Sequence, residues 1–145
     1  PILLLIRDFN DLDMIAADVS EKALCLARAC WPGPVTLLFK AAPNLSRLLT
    51  GAQAKIGCRI SSNHIAQKLV EYVGAPITST SANLSGNASA SNIKLLDNVL
   101  YNLVDVVIDA GDTGSNVAST IIDVSGEPFT VVRKGTILPD LSVYL

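Results

Sequence analysis

The stretch KIGCRISSNHIAQKLVEYVGAPITST, residues 55–80, decides the fold class. Its first six residues alternate. Ile56, Cys58 and Ile60 fall on one face, and Lys55, Gly57 and Arg59 on the other, which is the two-residue period of a strand with one side in a core. The period then changes. Ile65, Ala66, Leu69, Val70 and Val73 recur at helical spacing, so a helix is predicted, capped by Ser62 or Asn63 and ended by Gly74 and Pro76. PITST, residues 76–80, returns to an extended run. Strand, helix and strand with short joints make the repeating unit of an α/β sheet.

The alternation continues on both sides of this unit. Residues 2–6 are a continuous apolar run, as in a buried strand. RDFNDLDMIAADVS, residues 7–20, carries Leu12, Ile15 and Ala16 at helical spacing, and Ser20 can cap a second helix in which Leu24, Ala27 and Trp31 share a face. WPGP, residues 31–34, stops that helix, because neither proline can continue it and each biases its predecessor towards extended backbone. VTLLFK (35–40) reads as a strand and 41–54 as a loop with one helical turn. Further on, a helix is predicted from about Asn92 to Leu103 with Ser91 as its cap. A strand follows at VDVVIDAG (104–111), then a hairpin over STIIDVSGEPFTVVRKG (119–135) that turns at Ser125-Gly126-Glu127-Pro128. Two successive strands after an alternating series predict a mixed α/β sheet rather than a purely parallel one. With no internal repeat, residues 1–145 read as a single domain.

Composition narrows the function classes. Half of the 145 residues are hydrophobic and 17% are charged, which excludes disorder and supplies a core. A net charge of −2 argues against a protein that coats nucleic acid, while leaving room for a local basic groove. No apolar run reaches transmembrane length and no charged-then-apolar leader is present, so no membrane partner is expected. Cys25, Cys30 and Cys58 are odd in number and form no Cys-x-x-Cys pair; they read as buried free thiols suited to a reducing compartment. The Asn-x-Ser sequons at Asn44, Asn83 and Asn87 matter only in a secreted protein and read as chance. The chain opens at Pro1 straight into an apolar run, which reads as a fragment lacking an N-terminal portion.

Three places can carry chemistry. Lys55 and Arg59 point the same way from one strand, about 13 Å apart at standard rise, with bare backbone at Gly57 between them. Spacing leaves two readings: a solvated strand face, or a face for a long anion charged at both ends. TSTSANLSGNASASN, residues 78–92, has the composition of a linker, yet it follows a strand and precedes a helix, where ligands bind in α/β sheets. Its hydroxyls and backbone N–H groups suit phosphate or carboxylate oxygens. It has neither a P-loop nor a nucleophile elbow. His64, alone of its kind, sits at a helix start, where a structural or capping role is expected, and the ligands for zinc are too few. Arg133 with Lys134 is a basic pair of the kind that is usually solvated.

Together WPGPVTLLF, GCRISSNHIA, GAPITSTSANLSG, STIIDV and VVRKG, in this order, resemble the YrdC-type threonylcarbamoyl-AMP synthases, most of all the single-domain bacterial members. The resemblance implies an open twisted mixed β-sheet with flanking helices (YrdC/RibB-like). It implies a cytoplasmic enzyme that makes threonylcarbamoyl-adenylate from L-threonine, bicarbonate or CO2, and ATP, releasing pyrophosphate, for the N6-threonylcarbamoyl modification of adenosine in tRNA. A downstream threonylcarbamoyl-transferase complex is the implied partner, tRNA or double-stranded RNA a further contact, and Mg2+ the companion of ATP. By the same resemblance Arg59, Ser79 and Ser119 bind threonine, and Lys55, Ser81, Asn83, Ser89 and Arg133 bind ATP. No residue is implied as nucleophile or metal ligand, because the reaction needs positioning and charge neutralisation instead.

The departures from the family pattern bear on this reading. The family's basic Lys-x-Arg motif and its PTDT-like segment are not found in this chain, so the fragment alone is expected to be inactive or nearly so. Lys55 stands where the family commonly has Thr, and Ala118 where many members have Glu. Two rival readings keep the fold: an RNA-binding or maturation module without synthase activity, and a paralogue or carbamoyltransferase-like domain that uses another acid or nucleotide.

Overall fold

The structure is a computed structural model and describes residues 1–114 and 117–144. They pack as two compact units, Pro1–Ser79 with Ala118–Leu145 in one and Thr80–Val117 in the other.

The first unit is built on a seven-stranded sheet. Its strands are β1 (Leu3–Leu5), β2 (Ala16–Ala17), β3 (Val35–Ala41), β4 (Lys55–Arg59), β5 (Ile77–Ser79), β6 (Thr120–Asp123) and β7 (Thr130–Arg133). They lie in the order β5-β1-β4-β3-β6-β7, with β2 paired to β3 beside this path. The β1/β4 and β3/β6 pairs are parallel and the others antiparallel, so the sheet is mixed, as the terminal hairpin predicts. Four helices accompany it: α1 (Phe9–Ile15), α2 (Glu21–Cys30), α3 (Arg47–Thr50) and α4 (His64–Val73). Each starts at a side chain that accepts from the first free N–H groups: Asp8, Ser20, Ser46 and Asn63. Asn63, not Ser62, caps α4; His64 is its exposed first residue and caps nothing.

One sheet face meets α1 and α2. Leu37 and Phe39 of β3, Ile56 and Cys58 of β4, and Ile122 of β6 are buried there with Leu12, Leu26 and Ala27. The apolar face of α2 is set by Ala23, Leu26 and Ala27, with Leu24 at its margin and Trp31 just past its end. WPGP docks that end. The Trp31 indole N–H donates to the Val35 carbonyl at 2.7 Å, and its ring lies 5.8 Å from Phe9 and 6.3 Å from Phe39. Gly33 is required: a Cβ there would stand 2.3 Å from the Cys30 carbonyl oxygen. Its N–H donates to Ile60 at 2.9 Å and ties the turn to the end of β4.

The opposite face is set by register. Leu5 pairs with both Arg59 and Ile77, and Ile121 pairs with both Thr36 and Arg133. Gly57 pairs with Leu3 and Leu38, Leu3 in turn with Ser79, and Leu38 in turn with Asp123. Paired residues point to the same side. Arg59, Thr36 and Arg133 therefore share this face, with Ser79, Gly57 and Asp123 one row away.

Four expectations need correction. Only Cys58 is a buried thiol; Cys30 is half-buried and Cys25 exposed, because Cys25 falls on the polar side of α2. The apolar stripe of α4 is largely open: Val70 is buried, while Leu69 and Val73 are exposed. In the second unit no helix runs from 92 to 103. A 3-10 turn (Ile93–Leu95) is capped by Asn92 and a short helix α5 (Asn98–Tyr101) by Asp97, with Leu96 extended between them. Ser91 caps neither, because Asn92 and Asp97 each bond the N–H two residues on and restart the chain. VDVVIDAG forms no strand: residues 104–111 join no ladder, and β-branched residues without a partner strand do not make one. Among the described residues no helix is long and apolar enough to cross a membrane.

Candidate functional site

Arg59 ends β4, in the middle of the sheet. It forms no ion pair among the described residues, and its buried Nε–H has no hydrogen-bond partner there. Burial lowers the pKa of its guanidinium, and the positive charge of Arg133 lowers it further. An unpaired cation in this setting costs stability, and an anion bound across Arg59 and Arg133 would relieve it.

Ser119 is held at this place from several sides. Arg133 donates to its carbonyl through Nε (3.1 Å) and Nη2 (2.9 Å), and to its hydroxyl through Nη2 (3.2 Å). Thr36, on the neighbouring strand, lies with Oγ1 at 2.9 Å from Ser119 Oγ. Behind Ser119 the fully buried Thr120 accepts from the Gly135 N–H at 3.0 Å and donates to the Ile137 carbonyl. Gly135 passes so close that a Cβ would stand 2.2 Å from the Ala118 carbonyl oxygen. The KG of VVRKG thus has a backbone reason: only glycine lets the chain after β7 lie against residues 118–120.

The structure brings Arg59, Ser119 and Arg133 to one place and puts the remaining residues elsewhere. Lys55, at the other end of β4, is paired with Asp123 of β6 at 2.5 Å, and Asp123 also accepts from the Ser125 hydroxyl at 2.6 Å. Burial works to raise the Asp123 pKa, but the hydrogen bonds from Lys55 and Ser125 outweigh it and the net shift is downward. Ser79 ends β5 opposite Leu3, in the row of Gly57. Gly57 is buried in that row: a Cβ would come to 3.0 Å from the Leu38 side chain.

In the second unit the serine-rich stretch is a built loop. Asn83 donates through Nδ2 to the carbonyls of Leu84 (2.9 Å) and Asn87 (3.0 Å), and accepts from the Ser89 hydroxyl at 3.3 Å. The Ala90 N–H closes it onto the Ala82 carbonyl at 3.3 Å. Asn83 and Ser89 are together and half-buried, whereas Ser81 is exposed. Beside the loop lies a cavity of about 180 Å³ with apolar walls from Ala82, Ala90, Ile93, Leu96, Val107 and Ile108; none of the three polar residues lines it.

Thr36, Thr120, Asp123 and Gly135 escape the sequence reading. Thr36 had a signal: in VTLLFK the core takes Val35, Leu37 and Phe39, which leaves Thr36 on the face of Arg59. The roles of the other three depend on which strands pair, and no local pattern carries that. Among the described residues no group of three or more His, Cys, Asp or Glu could hold a metal ion.

Comparison with known proteins fits this frame. Residues 1–135 match the model of the Sua5/YciO/YrdC family, described as "Telomere recombination". The chain is 33% identical over 135 residues to the threonylcarbamoyl-AMP synthase of Pyrococcus abyssi (strain GE5 / Orsay), covering 93% of this chain and 40% of that protein. To the threonylcarbamoyl-AMP synthase of Bacillus subtilis (strain 168) it is 30% identical over 138 residues, covering 94% and 40%. Among solved structures, P. abyssi Sua5 complexed with L-threonine aligns with a TM-score of 0.84 at 32% identity, over 93% of this chain and 40% of that one. E. coli YciO aligns with a TM-score of 0.77 at 29% identity, over 99% and 69%. The chain thus spans about 40% of the length of the first two curated relatives. With its mixed sheet and a family match over nearly its whole length, the chain belongs to the Sua5/YciO/YrdC family.

Proposed function

We propose that this chain carries the threonine-binding surface, and part of the ATP-binding surface, of a threonylcarbamoyl-AMP synthase. The observation that carries the reading is Arg59: a half-buried guanidinium without a carboxylate partner among the described residues, beside Ser119 and Arg133. A planar fork of donors suits a carboxylate, and the relatives named for this activity make the threonine carboxylate the fitting one. Ser119 and Ser79 would complete the threonine contacts. Asn83 with Ser89, and Ser81, would face the nucleotide, and Lys55 and Arg133 its phosphates.

In this reading L-threonine is carboxylated on its nitrogen by bicarbonate or CO2. The new carboxylate oxygen attacks the α-phosphorus of ATP, the bond to the β-phosphate oxygen breaks, and pyrophosphate leaves. The protein holds two anionic reactants in line and neutralises their charge, which accounts for guanidinium and hydroxyl groups without a nucleophile. Mg2+ enters with the phosphates of ATP. The product is a mixed anhydride, so a transferase acting on tRNA must follow. The test is pyrophosphate release by the full-length protein with threonine or bicarbonate omitted in turn. Dependence on both is expected; RNA binding without turnover would replace this reading with that of a binding module.

A further inference from the structure

We propose that Thr36 decides which way Ser119 hydrogen-bonds. Thr36 donates its hydroxyl proton to Ser119 Oγ, and Ser119 is left to give its own proton to an acceptor oxygen of the bound carboxylate. The inference rests on the reading of Arg59 and Ser119 as threonine-binding residues and adds a positioning residue to it.

The case is one of counting protons. Thr36 is 2% exposed, on β3 between β4 and β6, and is paired with Ile121 of β6. Among the described residues the side-chain partner of its hydroxyl is Ser119 Oγ, at 2.9 Å. Ser119 Oγ also lies 3.2 Å from Arg133 Nη2, and a guanidinium can only donate. If Ser119 gave its proton to Thr36, the proton of Thr36 would be buried with no acceptor among the described residues, which folded proteins avoid. With the bond the other way round, the buried Thr36 hydroxyl has its acceptor. Ser119 then accepts from both Thr36 and Arg133, and its single hydrogen points away from both. Ser119 is half-buried and falls on the sheet face that carries Arg59, because its neighbour Thr120 faces the core. The pocket therefore offers a directed O–H beside a guanidinium, a pair that selects a carboxylate or carbamate oxygen over an N–H group.

The experiment is calorimetric titration of the full-length protein with L-threonine, and separately with ATP, for wild type and variants at Thr36. Thr36→Val keeps the shape and removes the hydroxyl. Ser119 is then free among its three staggered rotamers, and threonine binding should weaken about three- to tenfold, with ATP binding unchanged. Thr36→Ser should restore it. Thr36→Ala lacks the hydroxyl too and must shift in the same direction, which covers the case where valine is not tolerated. Threonine binding that is unchanged or tighter in the valine and alanine variants overturns the inference. So does a loss shared equally by ATP, or one that serine does not restore, since either marks a packing role. A wild type that binds no threonine overturns the functional reading as well, so the two failures are told apart.

Discussion

Arg7 and Arg59 leave the same end of two neighbouring parallel strands, and the protein treats them in opposite ways. Arg7 lies just past β1 and meets Asp11, which is fully buried and accepts from the Arg7 backbone N–H at 2.9 Å and from its guanidinium. Hydrogen bonding to Arg7 holds the Asp11 carboxyl below the usual carboxylate range. Arg59, paired through its backbone with Leu5, has no carboxylate partner among the described residues and keeps a buried N–H unsatisfied there. The first arginine closes a corner of the fold. On the proposed reading the second keeps its binding capacity at a cost in stability, as residues that wait for a ligand commonly do. Two arginines at the ends of neighbouring strands separate structure from function on that reading.

The sharpest way to break this comparison is Arg59→Met. Threonine affinity should fall about a hundredfold, the worth of a charged hydrogen-bonded contact. Thermal stability should hold or rise by about 1 kcal/mol, because an unpaired cation is replaced by an apolar chain of similar length. Calorimetry and thermal melts report the two. A clear drop in melting temperature would mean that Arg59 is structural after all. Asp11→Ala should do the reverse: stability falls by about 2 kcal/mol for the buried acceptor lost, and threonine affinity is unchanged in the folded fraction. The figure stays moderate because the Arg7 guanidinium, one-third exposed, regains water.

This contrast was only half legible in the sequence. Arg59 stood out because it alternates with Ile56, Cys58 and Ile60, so its face was known; whether a partner waited there was not. That depended on β3 lying between β4 and β6, where Val35 pairs with Thr120 across more than eighty residues of chain, which no local pattern encodes. The same limit explains the errors. VDVVIDAG has strand composition, but pairing is a property of the neighbour as much as of the segment. The helix from 92 to 103 failed where Asn92 and Asp97 interrupt it, a capping signal read too weakly. Cys25 shows that helical spacing places a residue within a few tens of degrees, not reliably on the buried side.

Acid titration sharpens the comparison further, with a smaller effect. The Asp11 pKa is lowered in the fold, so its contribution to stability is fully present above about pH 4, the unfolded carboxylate range. It is lost as pH falls through the lower folded value. Stability should be flat from pH 7 to about 5 and decline below that, and the decline should be shallower in Asp11→Asn. Asp123 and Asp140 are shifted the same way and keep part of the slope in that variant. Melting temperatures across this range, wild type against Asp11→Asn, check it; identical slopes would mean that Asp11 is not ionised and paired in the folded protein.

Lys55 lies between the two arginines in character. It has a carboxylate, Asp123, yet both side chains remain partly exposed, at 27% and 18%. A double-mutant cycle of Lys55→Met with Asp123→Asn should therefore give a coupling of about 1 kcal/mol or less. The value for ligand binding is more informative. If Lys55 is a phosphate contact, ATP must draw it away from Asp123, and the ion pair opposes binding. Asp123→Asn, which keeps the shape and removes the charge, should then tighten ATP binding severalfold while threonine affinity stays fixed, and Lys55→Met should weaken ATP by a similar factor. If Lys55 resembles Arg7 instead, both variants change stability and neither changes ATP affinity. The sign of the Asp123→Asn effect on ATP thus assigns Lys55 to one side of the comparison.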